Sequence, residues 1–232
     1  MMRQIRAPLT RRYLDLLCSV YIYNEHRGYT GLDRILAAIR ETHDPSDPFI
    51  AQVEKHRADE HKHYVMFKRW FERRGEMPYD VGRTGQIDGI IQMFFGRDID
   101  ALDANPFLAN EAKFAQLCRA IILTERRGMQ QVEEFLASPA VQTDPHLVKI
   151  FKVVERDEPS HWEPYEGWLR SHGYPESRRR EQLVDSLAYA TTVFAKFPFM
   201  LANPRLPRRT DWPDGGTVPA ARAAGEEPEG IA

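Results

Sequence analysis

Residues 59–75, DEHKHYVMFKRWFERRG, align without gaps on residues 157–173, DEPSHWEPYEGWLRSHG, sharing Asp, Glu, His, Trp and Gly at equivalent positions. Upstream of each copy lies a second matched pair. Residues 18–28, CSVYIYNEHRG, fall on 118–128, CRAIILTERRG, with Cys, Ile, Glu, Arg and Gly in common. The chain therefore reads as a helical hairpin written twice. Asp47-Pro48, Asn105-Pro106 and Asp144-Pro145 place a capping side chain before a proline at the first helical position, which fixes three helix starts. His43-Asp44-Pro45, Gly75 with Pro78, Ser138-Pro139, and Gly173 with Pro175 supply the stops. This grammar predicts four long helices over 9–42, 48–74, 106–137 and 145–172.

Short loops inside each hairpin force its two helices antiparallel. Between the hairpins, residues 76–105 must run back along the helices, a span of roughly 40 Å for about 27 residues at 1.5 Å rise, with room for a short helix near 84–96. A fifth helix over 176–202 carries Leu183, Leu187, Ala190, Phe194 and Phe197 at helical spacing and is expected to pack on the others through them. Strand signals are scarce, so the expected class is all-α. One domain over 1–203 is expected, because 232 residues with 42% hydrophobic content suit a single core. Residues 204–232, rich in Pro, Gly, Ala, Arg and Glu, read as a disordered tail.

A formal net charge of -2 gives no basic field for nucleic acid. Two cysteines, Cys18 and Cys118, form neither a disulfide framework nor a CxxC metal pair, which fits a cytoplasmic setting. The basic N-terminus leads into helical patterning without a cleavage-site signature, and Asp185, Lys196 and Pro198 interrupt the most apolar stretch, 183–202. Neither a signal peptide nor a free transmembrane span is expected.

The repeated polar residues fall on apolar faces. Glu25 shares a stripe with Cys18, Tyr21, Ile22 and Leu32, and Glu125 shares one with Cys118, Ile121, Ile122 and Val132. Glu60 and His63 lie one turn apart among Val53, Phe67 and Trp70, as Glu158 and His161 do among Ile150, Val154, Tyr165 and Trp168. Carboxylates facing one another in a core repel and protonate unless a cation lies between them. Two metal ions would meet that need.

One glutamate from each of two helices, with Glu-x-x-His from each of the other two, resembles the ligand pattern of the ferritin-like di-iron and di-manganese carboxylate proteins over about residues 9–172. The resemblance implies a ferritin-like four-helix bundle with a long crossover between helices 2 and 3 and a fifth C-terminal helix. It also implies two iron ions on Glu25, Glu60, His63, Glu125, Glu158 and His161. Oxygen and imidazole donors suit iron or manganese, and do not by themselves exclude zinc. Asp59 and Asp157 complete two DExxH motifs, in which such aspartates hold the ligand histidines from the second shell of the metal. The pseudo-two-fold relation of the hairpins sets Asp59 toward His161 and Asp157 toward His63.

Gly28 and Gly128 sit inside helices at a cost of about 1 kcal/mol each relative to alanine, which close packing or space for a ligand could offset. Cys18 and Cys118 read first as small core residues and second as cavity wall. His56 shares the face of Glu60 but has no histidine at its repeat position, leaving it second shell or surface. His26 and His61 point away from the metal face. Pro159 falls between the two ligands of the fourth helix and should kink or bulge it, and a large distortion would let Glu155 compete with Glu158 as ligand.

The duplicated Glu, DExxH set is similar to the oxygenase branch of the superfamily, which implies a non-haem di-iron oxidoreductase. It would activate dioxygen with electrons from a reductase or ferredoxin and hydroxylate a small apolar organic substrate. Phe94, Phe95, Phe194 and Phe197 either shape that substrate's pocket or pack as core. Other readings stay open: a ferroxidase or rubrerythrin-like iron handler, and a tRNA hydroxylase using Arg178, Arg179, Arg180, Arg205, Arg208 and Arg209. Nucleic acid is nonetheless not the expected partner. Peripheral membrane contact through helix 5 and a homo-oligomeric state complete the expectations.

Overall fold

The computed structural model describes residues 2–82, 86–96 and 109–215, with the side chains of residues 2–7 and 86–88 outside that description. Helices α1 (Met2–Thr42), α2 (Pro48–Glu72), α3 (Gln86–Phe95), α4 (Glu111–Ala137), α5 (Pro145–Asp157), α6 (Pro159–Ser171), α7 (Arg179–Thr191) and α8 (Phe197–Ala202) build an all-α protein. A π-helical turn, Thr192–Lys196, joins the last two. Among the described residues the extended pairing is one isolated bridge, Tyr79 to Arg208. No described helix is long and apolar enough to cross a membrane.

Local chemistry fixes the starts. Asp47 accepts from the Phe49 amide at 2.9 Å, and Asp144 accepts from the amides of His146 and Leu147, each at 3.0 Å. Such caps contribute about 1 kcal/mol apiece. Asp144 also accepts from the Trp70 indole at 2.8 Å, tying the start of α5 to the end of α2. Helix α4 starts later than the Asn105-Pro106 signal predicts, because Asn110 is a second capping residue whose side chain accepts from the Lys113 amide at 3.1 Å. Residues 97–108 lie outside the described residues.

Helix α1 packs on α2, α4 on α5 and α6, and α2 on α5 and α6. Two apolar clusters fill the interior. One gathers Leu32 to Ile39 of α1, Phe49 to Val53 of α2, Phe114 to Ile122 of α4 and Tyr165 to Leu169 of α6. The other gathers Leu14 to Tyr29 of α1, Tyr64 to Phe71 of α2, Val132 of α4 and Leu147 to Val154 of α5. Since α1 and α2 enter these clusters in opposite order, they run antiparallel, and so do α4 and the α5–α6 pair. Cys18 and Cys118 are both fully buried, one in each cluster, where desolvation pushes their thiols up and leaves them inert packing residues.

Helix α7 lies against α3 and α4 by an unexpected face. Leu183 and Leu187 are more than half exposed and Phe194 is 78% exposed, so they neither pack nor line a pocket. The inward residues are Glu181, Asp185 and Ala188. The Arg119 guanidinium, 1% exposed, donates to both oxygens of Glu181 at 2.6 and 2.9 Å, and Arg127 pairs with Asp185. Basic residues planted in the apolar face of α4 thus draw the acids of α7 inward and turn its leucines out. Phe197 does pack, edge-on to Tyr13 at 5.7 Å, while Phe95 packs on the first of the two interior clusters and Phe94 on a smaller one of Ile90, Ala120 and Ala188.

The expected tail does not begin at 204. Arg208 pairs with Asp15 at 2.6 Å, the Arg209 amide donates to the Pro78 carbonyl at 2.8 Å, and Trp212 is 1% exposed within the cluster of α1, α2 and α5. Residues 216–232 lie outside the described residues. Composition misled here, because one tryptophan and one arginine anchor a segment otherwise built like a linker. Substituting Trp212→Ala should lower stability by about 3–5 kcal/mol, read by chemical denaturation. A cost below about 1 kcal/mol would show that the segment is peripheral.

Candidate metal centre

Between the two apolar clusters every long helix carries polar residues: Glu25 on α1, His56, Glu60 and His63 on α2, Glu125 on α4, and Glu158 and His161 at the junction of α5 and α6. Periodicity places each of them on the stripe that also holds its neighbours in the core. Glu25, Glu60, Glu158, His56, His63 and His161 are buried, and Glu125 is partly open with 19% of its side chain exposed.

Donor atoms converge in two overlapping groups. His56, Glu60, Glu125 and His161 each offer an atom within 4.8 Å of the others, and Glu25, Glu60 and His63 form a second group, so Glu60 belongs to both. His63 Nδ1 lies 3.4 Å from Glu25. His161 Nδ1 lies 3.4 Å from Glu60, 3.6 Å from Glu158 and 3.7 Å from Glu125. All six residues singled out by the repeat meet at one place.

His63 and His161 turn the same way, Nδ1 toward the carboxylates and Nε2 toward the opposite aspartate. His63 Nε2 is 3.2 Å from Asp157, and His161 Nε2 is 3.7 Å from Asp59. The first contact is a hydrogen bond and the second is half an ångström looser. Lys62 binds both aspartates, at 2.5 Å to Asp59 and 2.7 Å to Asp157, and Lys55 adds a bond of 2.7 Å to Asp59. Burial opposes charge on the aspartates, yet bonds from the histidines and lysines hold both well below the usual carboxylate range.

The centre itself is electrostatically frustrated. Glu25 Oε2, Glu158 Oε2, His63 Nδ1, His161 Nδ1 and His56 Nε2 are buried without a hydrogen-bond partner. Each such atom costs about 1–3 kcal/mol, and five aimed at one small volume are not tolerated without compensation. Burial, joined by repulsion from Glu25 and Glu125, raises Glu60 well above its ordinary value. The same causes raise Glu158 to about 7. Burial disfavours charge on His63, but Asp157 and Glu25 outweigh it and raise the imidazole to about 9. His56 goes the other way, lowered by burial and by the neighbouring histidines. Carboxylate oxygens and neutral imidazole nitrogens are lone-pair donors, and this set fits hard to borderline divalent cations such as iron and manganese.

Of the two helix-interior glycines, only Gly28 has a steric reason. A Cβ on Gly28 would stand 2.1 Å from Glu60 Oε2, and one on Gly128 would stand 3.5 Å from Glu158 Oε1. Gly28 thus clears space for Glu60, while a side chain at Gly128 would meet Glu158 at ordinary contact distance. Pro159 breaks the fourth helix as its missing amide requires: α5 ends at Asp157, α6 begins at Pro159, and Glu158 is the joint. Neither Glu155 nor Glu158 belongs to the two donor groups, but Glu158 lies 3.6 Å from His161 Nδ1 at their edge.

The sequence reading left His56 either beside the metal ligands or at the surface, and did not single out Lys62 or Tyr165 for the site. His56 is 1% exposed, Lys62 straddles the aspartates, and Tyr165 donates or accepts at 3.1 Å with His56 Nδ1. Comparison with protein families, curated proteins and solved structures finds no match to this chain. The site therefore rests on its own geometry.

Gly28→Ala should displace Glu60 and lower metal affinity at least tenfold, whereas Gly128→Ala should bind metal normally and gain up to about 1 kcal/mol of helix stability. Titration calorimetry and thermal melts compare them; equal effects would contradict the asymmetry of 2.1 against 3.5 Å. A second expectation concerns pH. Folding raises Glu158 from 4.5 to about 7 and His63 from 6.5 to about 9, so stability tied to these protons is present at the acidic end and lost as pH rises from 4.5 to 9. The melting temperature of chelator-treated protein should fall across that window and added metal should flatten the decline. A pH-independent melt would mean that the carboxylates do not share an enclosed site.

Proposed function

We propose that this chain is a ferritin-like di-iron protein, and within that class a dioxygen-activating oxidoreductase acting on a small apolar organic substrate. The observation that carries the reading is the meeting of Glu25, Glu60, Glu125, Glu158, His63 and His161, with each histidine's remote nitrogen turned to an aspartate. Helix order supports the bundle. Helix α2 ends in the apolar cluster opposite the one where α4 begins, so the connection through residues 76–105 has to cross the length of the bundle.

When bound, the two irons would supply reducing equivalents and open coordination positions for dioxygen, with electrons renewed by a separate donor protein. The chain's own contributions follow from its packing. Glu60 bridges the two donor groups, and the paired histidines fix one imidazole to each. Asp157 and Asp59 orient those imidazoles and raise their basicity, while Lys62 keeps both aspartates ionised. Apolar clusters on both sides exclude water from the layer. Oxygenase rather than ferroxidase is favoured by that enclosure, since Glu125 alone among the six is more than slightly exposed.

Anaerobic loading should give about two irons per chain, and Glu60→Ala or Glu158→Ala should lose at least one while folding as well as the parent, because removing a carboxylate relieves repulsion. Elemental analysis and circular dichroism measure the two quantities. Reduced, loaded protein should consume about one dioxygen per pair of irons and stop until electrons are resupplied. Continued oxidation of added ferrous iron with growth of a mineral core would assign the ferroxidase role instead.

A further inference from the structure

We infer that the two metal positions are chemically unequal: His56, held by Tyr165, is a third histidine ligand, making one position richer in nitrogen than the other and selective for the later first-row divalent ions. The inference rests on the two-metal reading above and goes beyond its six ligands.

Duplication provides an internal control. In the alignment of residues 59–75 on 157–173, extended upstream, the counterpart of His56 is Val154, and the counterpart of Tyr165 is Phe67. One half of the molecule therefore holds an apolar pair, Val154 and Phe67, both fully buried in the same cluster. At the matching place the other half holds a buried polar pair, joined at 3.1 Å between His56 Nδ1 and the Tyr165 hydroxyl. Burying two polar side chains where an apolar pair serves the fold is unfavourable unless something else is gained.

The geometry points to that gain. His56 Nε2 faces into the centre, 3.7 Å from Glu60 and 3.6 Å from Glu125, and has no hydrogen-bond partner although the residue is 1% exposed. Its ring stacks on His161 at 4.3 Å between centroids with 23° between planes, which sets the two imidazoles side by side over the same carboxylates. With Nδ1–H donating to Tyr165, the lone pair of Nε2 is directed inward. The group formed by His56, His161, Glu60 and Glu125 then offers two nitrogens and two oxygens, against one nitrogen from His63 among Glu25 and Glu60 in the other. Imidazole-rich sites favour cobalt, nickel and zinc over manganese, and oxygen-rich sites discriminate less.

Chelator-treated parent protein should be given Co(II) and Mn(II) together under anaerobic conditions and then desalted. The expected parent product holds about one of each per chain, by elemental analysis. His56→Val, which installs the repeat's own residue, should lose that preference and weaken the first Co(II) step about 10- to 100-fold; Tyr165→Phe should weaken it less, by up to about tenfold. An independent reading needs no variant: the Co(II)-loaded parent should show three paramagnetically shifted imidazole N–H resonances, from His56, His63 and His161, where two would overturn the assignment even if His56→Val failed to fold. Unchanged selectivity in a folded His56→Val protein would also overturn it while leaving two-metal binding standing. A parent that binds neither ion would remove the two-metal reading, and this inference with it.

Discussion

Mutual repulsion among carboxylates that cannot reach water governs the middle of this protein. Glu25, Glu60 and Glu158 are buried and Glu125 nearly so, with apolar clusters above and below. Much of the surrounding structure answers that repulsion. Histidines at 3.4 to 3.7 Å give the carboxylates partners, aspartates behind the histidines polarise them, and Lys62 balances the aspartates. Charge thus alternates outward from the centre in shells, acid, base, acid, base. Each shell answers the one inside it, and the innermost is a group of donors that could hold a metal ion.

The same tactic recurs at the flank, where Arg119 and Arg127 of α4 receive Glu181 and Asp185 of α7. An ion pair buried to this degree adds little net stability against an apolar alternative, but breaking it by removing one partner costs about 3–5 kcal/mol. Its value is in registry: a leucine face could slide along α4, whereas a two-pronged bond at 2.6 and 2.9 Å holds one position.

What the sequence disclosed and what it hid follow from the range of the forces involved. Capping by Asp47 and Asp144 is local, so both helix starts were legible, and the repeat made the six central residues legible because duplication marks positions twice. His56 was left undecided for the converse reason, its repeat position being occupied by Val154. The outward turn of Leu183 and Leu187 was hidden because hydrophobic spacing assumes that acids face water, and two arginines on another helix reversed that. Trp212 was lost in a stretch whose average composition resembles a linker, although its buried indole and the Arg208–Asp15 pair dock it.

Pro159 gives the two halves different mechanics. Glu60 and His63 stand on one unbroken helix, so their separation is fixed by a continuous ladder of backbone bonds. Glu158 and His161 straddle a joint, with Glu158 belonging to neither α5 nor α6. One side of the centre is spanned by a continuous backbone ladder and the other by a place where Pro159 has no amide to contribute. The spacing of Glu158 and His161 therefore depends on how the two segments pack, whereas that of Glu60 and His63 is set by their own helix.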